Sequence, residues 1–298
     1  MSRIFRAFEK AWESRHARPL VEPGTDGTEI YSARRSGSPR NGSSHAAVAC
    51  SVAEHPLPSL ASLVTSARIR LASGAPILPF DGSDPRAAEQ YKIIRTKILH
   101  HPIKPSCVVV TSAQTDDGKS VSAINIAGCM ALKDQTTVLL VDADMRRSSM
   151  AATLGVPDSP GLADMLTGQV PLEKAIVRLD PFQNFYFLSR GERQSSPAEL
   201  LDSSRWRATI SLLRREFGFV VVDAPPIGLV ADFELVERAA DGVILVIRPD
   251  HTNRTLGLKA LELVQPEKLL GVVLNCAADW FVTKPLSHRY YHYYDEKP

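Results

Sequence analysis

The chain has 298 residues and a formal net charge of +2, with 35 basic and 33 acidic side chains. This balance gives no global attraction to a polyanion, so nucleic acid is not an expected partner. No apolar run approaches the ~20 residues needed to cross a bilayer, and no secretory signal is visible. The four cysteines form no CxxC pair, which favours reduced thiols over disulfides or zinc. These features predict a soluble cytoplasmic protein.

The first 80 residues divide into two segments. Residues 1–15 predict an amphipathic helix, which could dock on its own domain, bind a partner or rest on an anionic membrane. Residues 16–80 are rich in Pro, Gly, Ser and Arg with little periodicity, which is typical of a disordered linker. The apolar side chains that share one face of the predicted helix are Ile4, Phe5, Phe8 and Trp12.

The next predicted helix covers residues 84–99. Within it, Glu89, Lys92 and Arg95 recur every three residues and therefore lie along one stripe. Periodicity alone predicts no more than a solvated charged face for this stripe.

A phosphate-binding loop is indicated after Cys107. Three consecutive valines suit a strand buried on both faces, and after a polar turn Gly118, Lys119 and Ser120 open an apolar helix. This is the order of a P-loop, in which backbone amides and the lysine hold phosphates and the serine hydroxyl can bind Mg²⁺. The first glycine of the usual pattern is replaced by Ala113.

Two later apolar strands end in carboxylates. The run from Val138 ends at Asp142 and Asp144, and the run from Phe219 ends at Asp223. Because the carboxyl ends of parallel strands share one edge of a sheet, these acids and the phosphate loop should meet in one crevice. A nucleotide with its metal ion is the ligand that this combination indicates.

Strands and helices alternate through the rest of the domain. The further strands are predicted at residues 184–188, 242–247 and 270–274. The helices are predicted at residues 119–132, 160–167, 203–216, 231–239 and 253–264. This alternation predicts an α/β fold of the P-loop NTPase type, with a mainly parallel sheet and helices on both faces. The folded domain is assigned to residues 81–282.

The remaining residues, 283–298, form a tail with an unusual composition. The tail is rich in tyrosine, but few apolar side chains lie next to these tyrosines in the sequence. A buried aromatic cluster is therefore disfavoured, and a phosphorylated tail fits better. The tyrosines that fall in this tail, out of 7 in the chain, are Tyr290, Tyr291, Tyr293 and Tyr294.

With these motifs assembled, residues 80–298 resemble the bacterial tyrosine kinases that regulate capsular and exopolysaccharide export, a family of deviant Walker ATPases. Three nucleotide motifs carry the resemblance: the P-loop at residues 118–120, Asp-x-Asp-x-Arg at residues 142–146, and Asp-x-Pro-Pro at residues 223–226. Residues 191–201 match a further family segment that ends in Pro-x-Glu-Leu-Leu.

The resemblance implies an ATP-dependent tyrosine kinase with assigned site residues. Lys119 would hold the β- and γ-phosphates, Asp142 would accept the tyrosine proton or align the hydroxyl, and Asp144 would support the site. Ser120, Asp142 and Asp223 are the implied Mg²⁺ ligands. The expected nucleotide contacts beside Lys119 are Asp116, Asp117, Gly118, Ser120, Val121, Arg146 and Asn275. A strand-end asparagine such as Asn275 can instead cap a turn.

The resemblance also implies partners. The tail tyrosines would accept phosphate, and the stripe of Glu89, Lys92 and Arg95 would contact the next copy in a homo-oligomeric ring. A membrane-embedded polysaccharide co-polymerase, acting as chain-length activator, would recruit the protein to the inner face of the cell membrane. Other proteins would serve as further tyrosine substrates.

Two departures from the family pattern leave alternatives open. Residues 115–119 read Thr-Asp-Asp-Gly-Lys where the family commonly has Pro-Gly-Glu-Gly-Lys, and Asp116 adds negative charge near the phosphates. Lys92 lacks the planar fork of the usual arginine. One alternative is a switch ATPase of the ParA/MinD type, which carries a second lysine where this chain has Gln114. The other is an inactive ATP-binding scaffold of the polysaccharide export complex.

Overall fold

A computed structural model of the protein describes residues 63–72, 77, 84–133, 136–228 and 230–277. Over these residues, the core is an eight-stranded sheet in the order β1-β4-β5-β3-β6-β2-β7-β8. The strands are β1 (Thr65–Arg68), β2 (Cys107–Ser112), β3 (Val138–Asp142), β4 (Ile176–Asp180), β5 (Phe185–Leu188), β6 (Phe219–Asp223), β7 (Gly242–Ile247) and β8 (Leu269–Leu274).

Helices connect these strands. They are α1 (Pro85–Leu99), α2 (Lys119–Ala131), α3 (Met150–Leu154), α4 (Leu162–Thr167), α5 (Leu172–Ala175), α6 (Pro197–Leu201), α7 (Ser204–Glu216), α8 (Asp232–Arg238) and α9 (Arg254–Leu263). None of the helices in the described ranges has the length and hydropathy that a membrane span requires.

Side chains along β2 alternate between two hydrophobic clusters, one on each face of the sheet. Val108 and Val110 pack in the cluster that includes side chains of α1, α2 and α3. Cys107 and Val109 pack in the cluster that includes side chains of α4, α7, α8 and α9. Because both faces are covered, the strand can be apolar at every position, as the unbroken run of valines predicted.

The register of the central strands places carboxylates at one edge. Strand β6 lies between β3 and β2 and is parallel to both. In this register Asp142 is the partner of Asp223, and Asp223 is also the partner of Val110. The carboxyl ends of the three strands therefore meet beside the loop that follows β2.

The α/β prediction is confirmed, and each predicted helix and strand of the domain is found within two residues of its predicted ends. The sequence analysis missed β1, β4 and the short helices α3, α5 and α6. Strand β1 lies inside the predicted linker, so the sheet begins before residue 81. Its residues, Thr-Ser-Ala-Arg, show no apolar alternation because it is an exposed edge strand joined to β4.

The predicted helix of residues 1–15 and the tail of residues 283–298 lie outside the described residues.

The start of β2 is fixed by Asp241, in the turn before β7. Its Oδ2 accepts hydrogen bonds from the backbone N–H groups of Ser106, at 2.9 Å, and Cys107, at 3.0 Å. Its Oδ1 accepts a hydrogen bond from Arg214 of α7. Burial alone would raise the pKa of Asp241, but these donors lower it below its usual range. The ionised carboxylate therefore stabilises the folded state.

We expect Asp241→Asn to lower the free energy of unfolding at pH 7 by about 1–3 kcal/mol, because charged hydrogen bonds are lost. Urea denaturation of both proteins measures this difference. Because the pKa of Asp241 is lowered on folding, its contribution is complete above the ordinary value of 3.8 and declines as the pH falls through the folded-state pKa. A difference that stays constant from pH 7 down to about pH 3 would contradict this explanation.

Candidate active site

The loop between β2 and α2 ends at Gly118, which has a φ of 89° and is the N-cap of α2. This left-handed backbone conformation favours glycine. A Cβ atom at this position would also overlap the side-chain amide of Asn275, which follows β8. Both the backbone conformation and the close approach of Asn275 therefore require glycine at this position. The turn at Gly118 places the first backbone N–H groups of α2 at the edge of the sheet where the strands end. Such a helix N-terminus attracts anions, phosphate groups above all.

Lys119 is held between two carboxylates. Its Nζ lies 2.8 Å from Oδ2 of Asp144 and 3.1 Å from Oδ2 of Asp223. The side chain is only 11% exposed. Burial alone would lower the pKa of Lys119, but the charges of Asp223 and Asp144 raise it above its usual range. The lysine therefore stays protonated and provides a fixed positive charge at the end of the loop.

Ser120 joins the same network from the first turn of α2. Its hydroxyl donates a hydrogen bond of 2.6 Å to Oδ2 of Asp223, and its Oγ accepts one of 3.2 Å from Lys119. The serine, the lysine and the carboxylate of β6 are thus in mutual contact without any ligand.

The Asp142 carboxylate has fewer hydrogen bonds and ion pairs to offset its burial than Asp144 or Asp223. It is fully buried, and within the described part of the chain neither of its carboxylate oxygens has a hydrogen-bond partner. Burial and the charge of Asp223 raise the pKa of Asp142 well above its usual range, although the nearby Ser148 hydroxyl offsets part of the shift. Burial also raises the pKa of Asp223, against the opposing effect of Lys119. The folded protein therefore disfavours simultaneous ionisation of these two facing carboxylates.

Asp144 behaves in the opposite way. Burial alone would raise its pKa, but the Lys119 ammonium and the backbone N–H groups of Arg147 and Arg146 lower it. Asp144 is therefore the ionised partner that holds the lysine.

The residues fit a nucleotide with Mg²⁺. Three carboxylate oxygens of Asp142 and Asp223 have no hydrogen-bond partner among the described residues, and carboxylate oxygens are the hard ligands that Mg²⁺ prefers. The Ser120 hydroxyl, in the first turn of α2, is in contact with Asp223. In the described ranges no three acidic, histidine or cysteine side chains converge as a complete metal site. Mg²⁺ in nucleotide sites is usually bound by one or two carboxylates together with water and substrate phosphates.

The other sequence-predicted nucleotide contacts have different surroundings. Asp116 is exposed with a φ of 63°, whereas the carboxylate of Asp117 is buried. Val121 is half-buried in the first turn of α2. The guanidinium of Arg146 forms two hydrogen bonds, of 2.8 and 3.0 Å, to a carboxylate on α8. The Asn275 side-chain amide donates a hydrogen bond of 2.9 Å to the backbone oxygen of Asp117, in the loop after β2.

The predicted oligomer stripe lies on α1, away from the site. Lys92 and Glu89 form an exposed ion pair of 3.0 Å with each other. Arg95 donates a hydrogen bond of 3.1 Å to the backbone oxygen of Cys129, at the end of α2 in the same chain. The side chains of this stripe are therefore partly engaged within their own chain. The tail tyrosines lie outside the described residues.

Two residues that form hydrogen bonds to site residues were not predicted from the sequence. Asp232, the acid that pairs with Arg146, is the first residue of α8 and its side chain is 1% exposed. Thr252, in the loop after β7, bonds to Asp117 and is buried. No spacing in the sequence links either residue to its partner, because both pairs form only when the strands are assembled.

We expect Asp142→Asn and Asp144→Asn to change stability in opposite directions when no nucleotide is present. Asp142→Asn removes a buried, uncompensated charge and should raise the free energy of unfolding at pH 7 by roughly 0.5–2 kcal/mol. Asp144→Asn leaves Lys119 with one partner fewer and should lower it by about 1–3 kcal/mol.

Urea denaturation of the two variants, which are matched in size and charge change, tests this expectation. The pKa of Asp142 is raised on folding, so the gain of Asp142→Asn should grow as the pH rises above the ordinary value of 3.8. A loss of stability in both variants would show that the charge of Asp142 is compensated.

No family model matches the chain. A search among curated proteins found the tyrosine-protein kinase YwqD of Bacillus subtilis, 33% identical over 216 residues that cover 70% of this chain and 87% of that protein. The tyrosine-protein kinase CpsD of Streptococcus pneumoniae serotype 4 is 34% identical over 196 residues, which cover 64% of this chain and 84% of that protein.

Among solved structures, the chimerical protein CapA2B2 is similar in fold. Its TM-score is 0.63 at 27% sequence identity, and the match covers 72% of this chain and 94% of that one. These matches extend over most of the length of each relative.

Proposed function

The chain belongs to the bacterial tyrosine kinases, and from this premise we propose that it is an autokinase that transfers the γ-phosphate of ATP to tyrosines of its own tail. The observation that carries the proposal is the meeting of Lys119 and Ser120 with the carboxylates of Asp142, Asp144 and Asp223 at one edge of the sheet. This arrangement combines an anion-binding helix end with acids that suit a metal and a proton.

The nucleotide would lie on the loop that ends at Gly118. The backbone N–H groups of the first turn of α2 and the Lys119 ammonium would bind the β- and γ-phosphates, as in other P-loop enzymes. Ser120, Asp142 and Asp223 would hold Mg²⁺, either directly or through water. When bound, Mg²⁺ supplies positive charge that offsets the negative charge of the phosphates. Lys119 would exchange its contacts with carboxylates for contacts with phosphate oxygens.

Asp142 is the proposed proton acceptor. Neither of its carboxylate oxygens has a hydrogen-bond partner among the described residues, so one of them is available to accept a proton from a substrate hydroxyl. It would take the proton of the tyrosine hydroxyl while the phenolic oxygen bonds to the γ-phosphorus and the bond to the β-phosphate oxygen breaks. The products are phosphotyrosine and ADP. Asp144 would keep Lys119 oriented during this exchange.

The tail can reach an active site in its own chain or in a neighbouring one. Tyr290 is fifteen positions after Asn275, which is at most roughly 50 Å of extended chain. We propose transfer between copies in a homo-oligomeric ring, with Glu89, Lys92 and Arg95 at the contact. Each phosphotyrosine adds about −1.5 to −2 charges, so a phosphorylated tail would be repelled from the acidic site and would loosen the ring.

The proposed setting is capsular or exopolysaccharide synthesis and export. A membrane-embedded polysaccharide co-polymerase would act as the activator and recruit this cytoplasmic chain to the inner face of the membrane, with residues 1–15 as the contact. Other proteins would be phosphorylated on tyrosine as further substrates. Full activation of a chain that lacks residues 1–15 would exclude this contact.

A switch ATPase of the ParA/MinD type is less well supported. In that group a second lysine stands where this chain has Gln114, and here the Gln114 amide donates to the backbone oxygen of His251 at 3.1 Å. The position therefore supports the loop and brings no second positive charge.

We expect the purified chain to gain phosphate on tail tyrosines when it is incubated with ATP and Mg²⁺. Intact-mass measurement and peptide mapping would locate the phosphates. The Lys119→Met variant should gain none, because it loses the cation that binds the phosphates. The expected acceptors are Tyr290, Tyr291, Tyr293 and Tyr294.

Two controls complete this experiment. Phosphate on the Lys119→Met chain in a mixture with the wild-type chain would demonstrate transfer between copies. If the wild-type chain binds ATP but gains no mass, even with the membrane activator present, the proposal is wrong and the chain is an ATP-binding scaffold.

A further inference from the structure

Two residues of the loop after β7 form hydrogen bonds to the P-loop, the loop between β2 and α2. The Asp117 carboxylate, buried in the P-loop, accepts a hydrogen bond of 2.6 Å from the Thr252 hydroxyl and one of 3.0 Å from the backbone N–H of Gln114. The ring Nε2 of His251 lies 3.0 Å from the backbone oxygen of Thr115. We call the two contacts that Thr252 and His251 make with this loop the P-loop clasp.

Thr252 is itself firmly placed. It is 6% exposed, and its Oγ1 accepts a hydrogen bond of 2.9 Å from the backbone N–H of Arg248, at the end of β7. One hydroxyl therefore connects the end of a central strand to the buried carboxylate of the loop. Burial raises the pKa of Asp117, and the hydrogen bonds from Thr252 and Gln114 offset part of the shift.

The P-loop of this chain needs external support. Asp116 has a φ of 63°, a conformation that costs energy for any residue with a Cβ atom. The preceding residue is Thr115, at the position where the family commonly has proline, and threonine does not fix its own φ as a proline would. The contacts that oppose relaxation of this segment come from the clasp on one side and from the Asn275 amide on the other.

We propose that Thr252 and His251 are positioning residues for nucleotide binding, which hold the loop of residues 113–118 in its phosphate-binding shape through Asp117 and Thr115. Neither side chain has to touch the nucleotide. Thr252 acts through the buried carboxylate, and His251 acts through a main-chain oxygen. This inference rests on the proposed binding of a nucleotide at Gly118–Ser120.

The test is the affinity of the full-length chain for Mg-ADP, a nucleotide that a kinase does not consume, measured by titration calorimetry. Thr252→Val keeps the shape of the side chain and removes the hydroxyl, so Mg-ADP should bind about 10-fold more weakly or worse, because a hydrogen bond to a charged group is lost. Thr252→Ser keeps the hydroxyl and should restore affinity to within about twofold of wild type.

Two further variants separate positioning from a structural role. Thr255→Val is the matched control, because Thr255 is exposed in the first turn of α9. The affinity of this variant protein for Mg-ADP should equal that of the wild type. His251→Ala removes a 37% exposed side chain, so the fold should persist, while affinity falls by about 2- to 10-fold through loss of the contact with the Thr115 backbone oxygen.

The outcomes are distinct. A folded Thr252→Val protein with a lower melting temperature but wild-type affinity for Mg-ADP would overturn the inference, since the hydroxyl would then serve stability alone. If Thr252→Val does not fold, His251→Ala decides, and unchanged affinity in that variant overturns the inference. Failure of the wild-type chain to bind Mg-ADP would overturn the proposed function itself. Weaker binding in both variants with rescue by Thr252→Ser supports the clasp.

Discussion

A single lysine ammonium shared between two carboxylates is the interaction on which the rest of this site depends. Lys119 contacts Asp144 and Asp223, and a third acid, Asp142, lies beside them with no hydrogen-bond partner for its carboxylate oxygens among the described residues. The parallel register of β3 and β6 forces Asp142 and Asp223 to be neighbours. Three carboxylates and one ammonium therefore meet at this edge, and a divalent cation is the kind of ligand that would offset the remaining negative charge.

The same edge needs a backbone of unusual shape. Gly118 must be glycine because of its φ and its contact with Asn275, and Asp116 is held in a conformation that aspartate tolerates at some cost. The loops after β7 and β8 supply the hydrogen bonds that keep this shape. In the function that we propose, positions far apart in sequence would determine whether the helix end and the lysine face a phosphate. The surrounding protein would then offset the departures from the family's usual loop sequence.

Much of the fold was predictable because its central strands are buried on both faces and read as apolar runs. The acidic strand ends were equally visible, and the parallel arrangement predicted that Asp142 and Asp223 would meet. Strand β1 was not predicted, since an edge strand pairs through backbone groups and needs little apolar pattern. Strand β4, which lies between β1 and β5, was not predicted because its buried residues, Ile176 and Leu179, are three positions apart and show no alternation. The partners of Asp117 and Arg146 could not be found either, because hydrogen bonds between distant segments leave no periodic signal in a sequence.

The function that we propose requires a divalent cation to offset the carboxylates at the sheet edge before a nucleotide can bind. The most direct measurement is the affinity of the wild-type chain for ATP in the presence of Mg²⁺ and in the presence of EDTA. We expect binding to be weaker by about 10-fold or more in EDTA, because uncompensated carboxylates then face the phosphates. Equal affinity under the two conditions would contradict this proposal, since Lys119 and the helix end would then be sufficient without a metal.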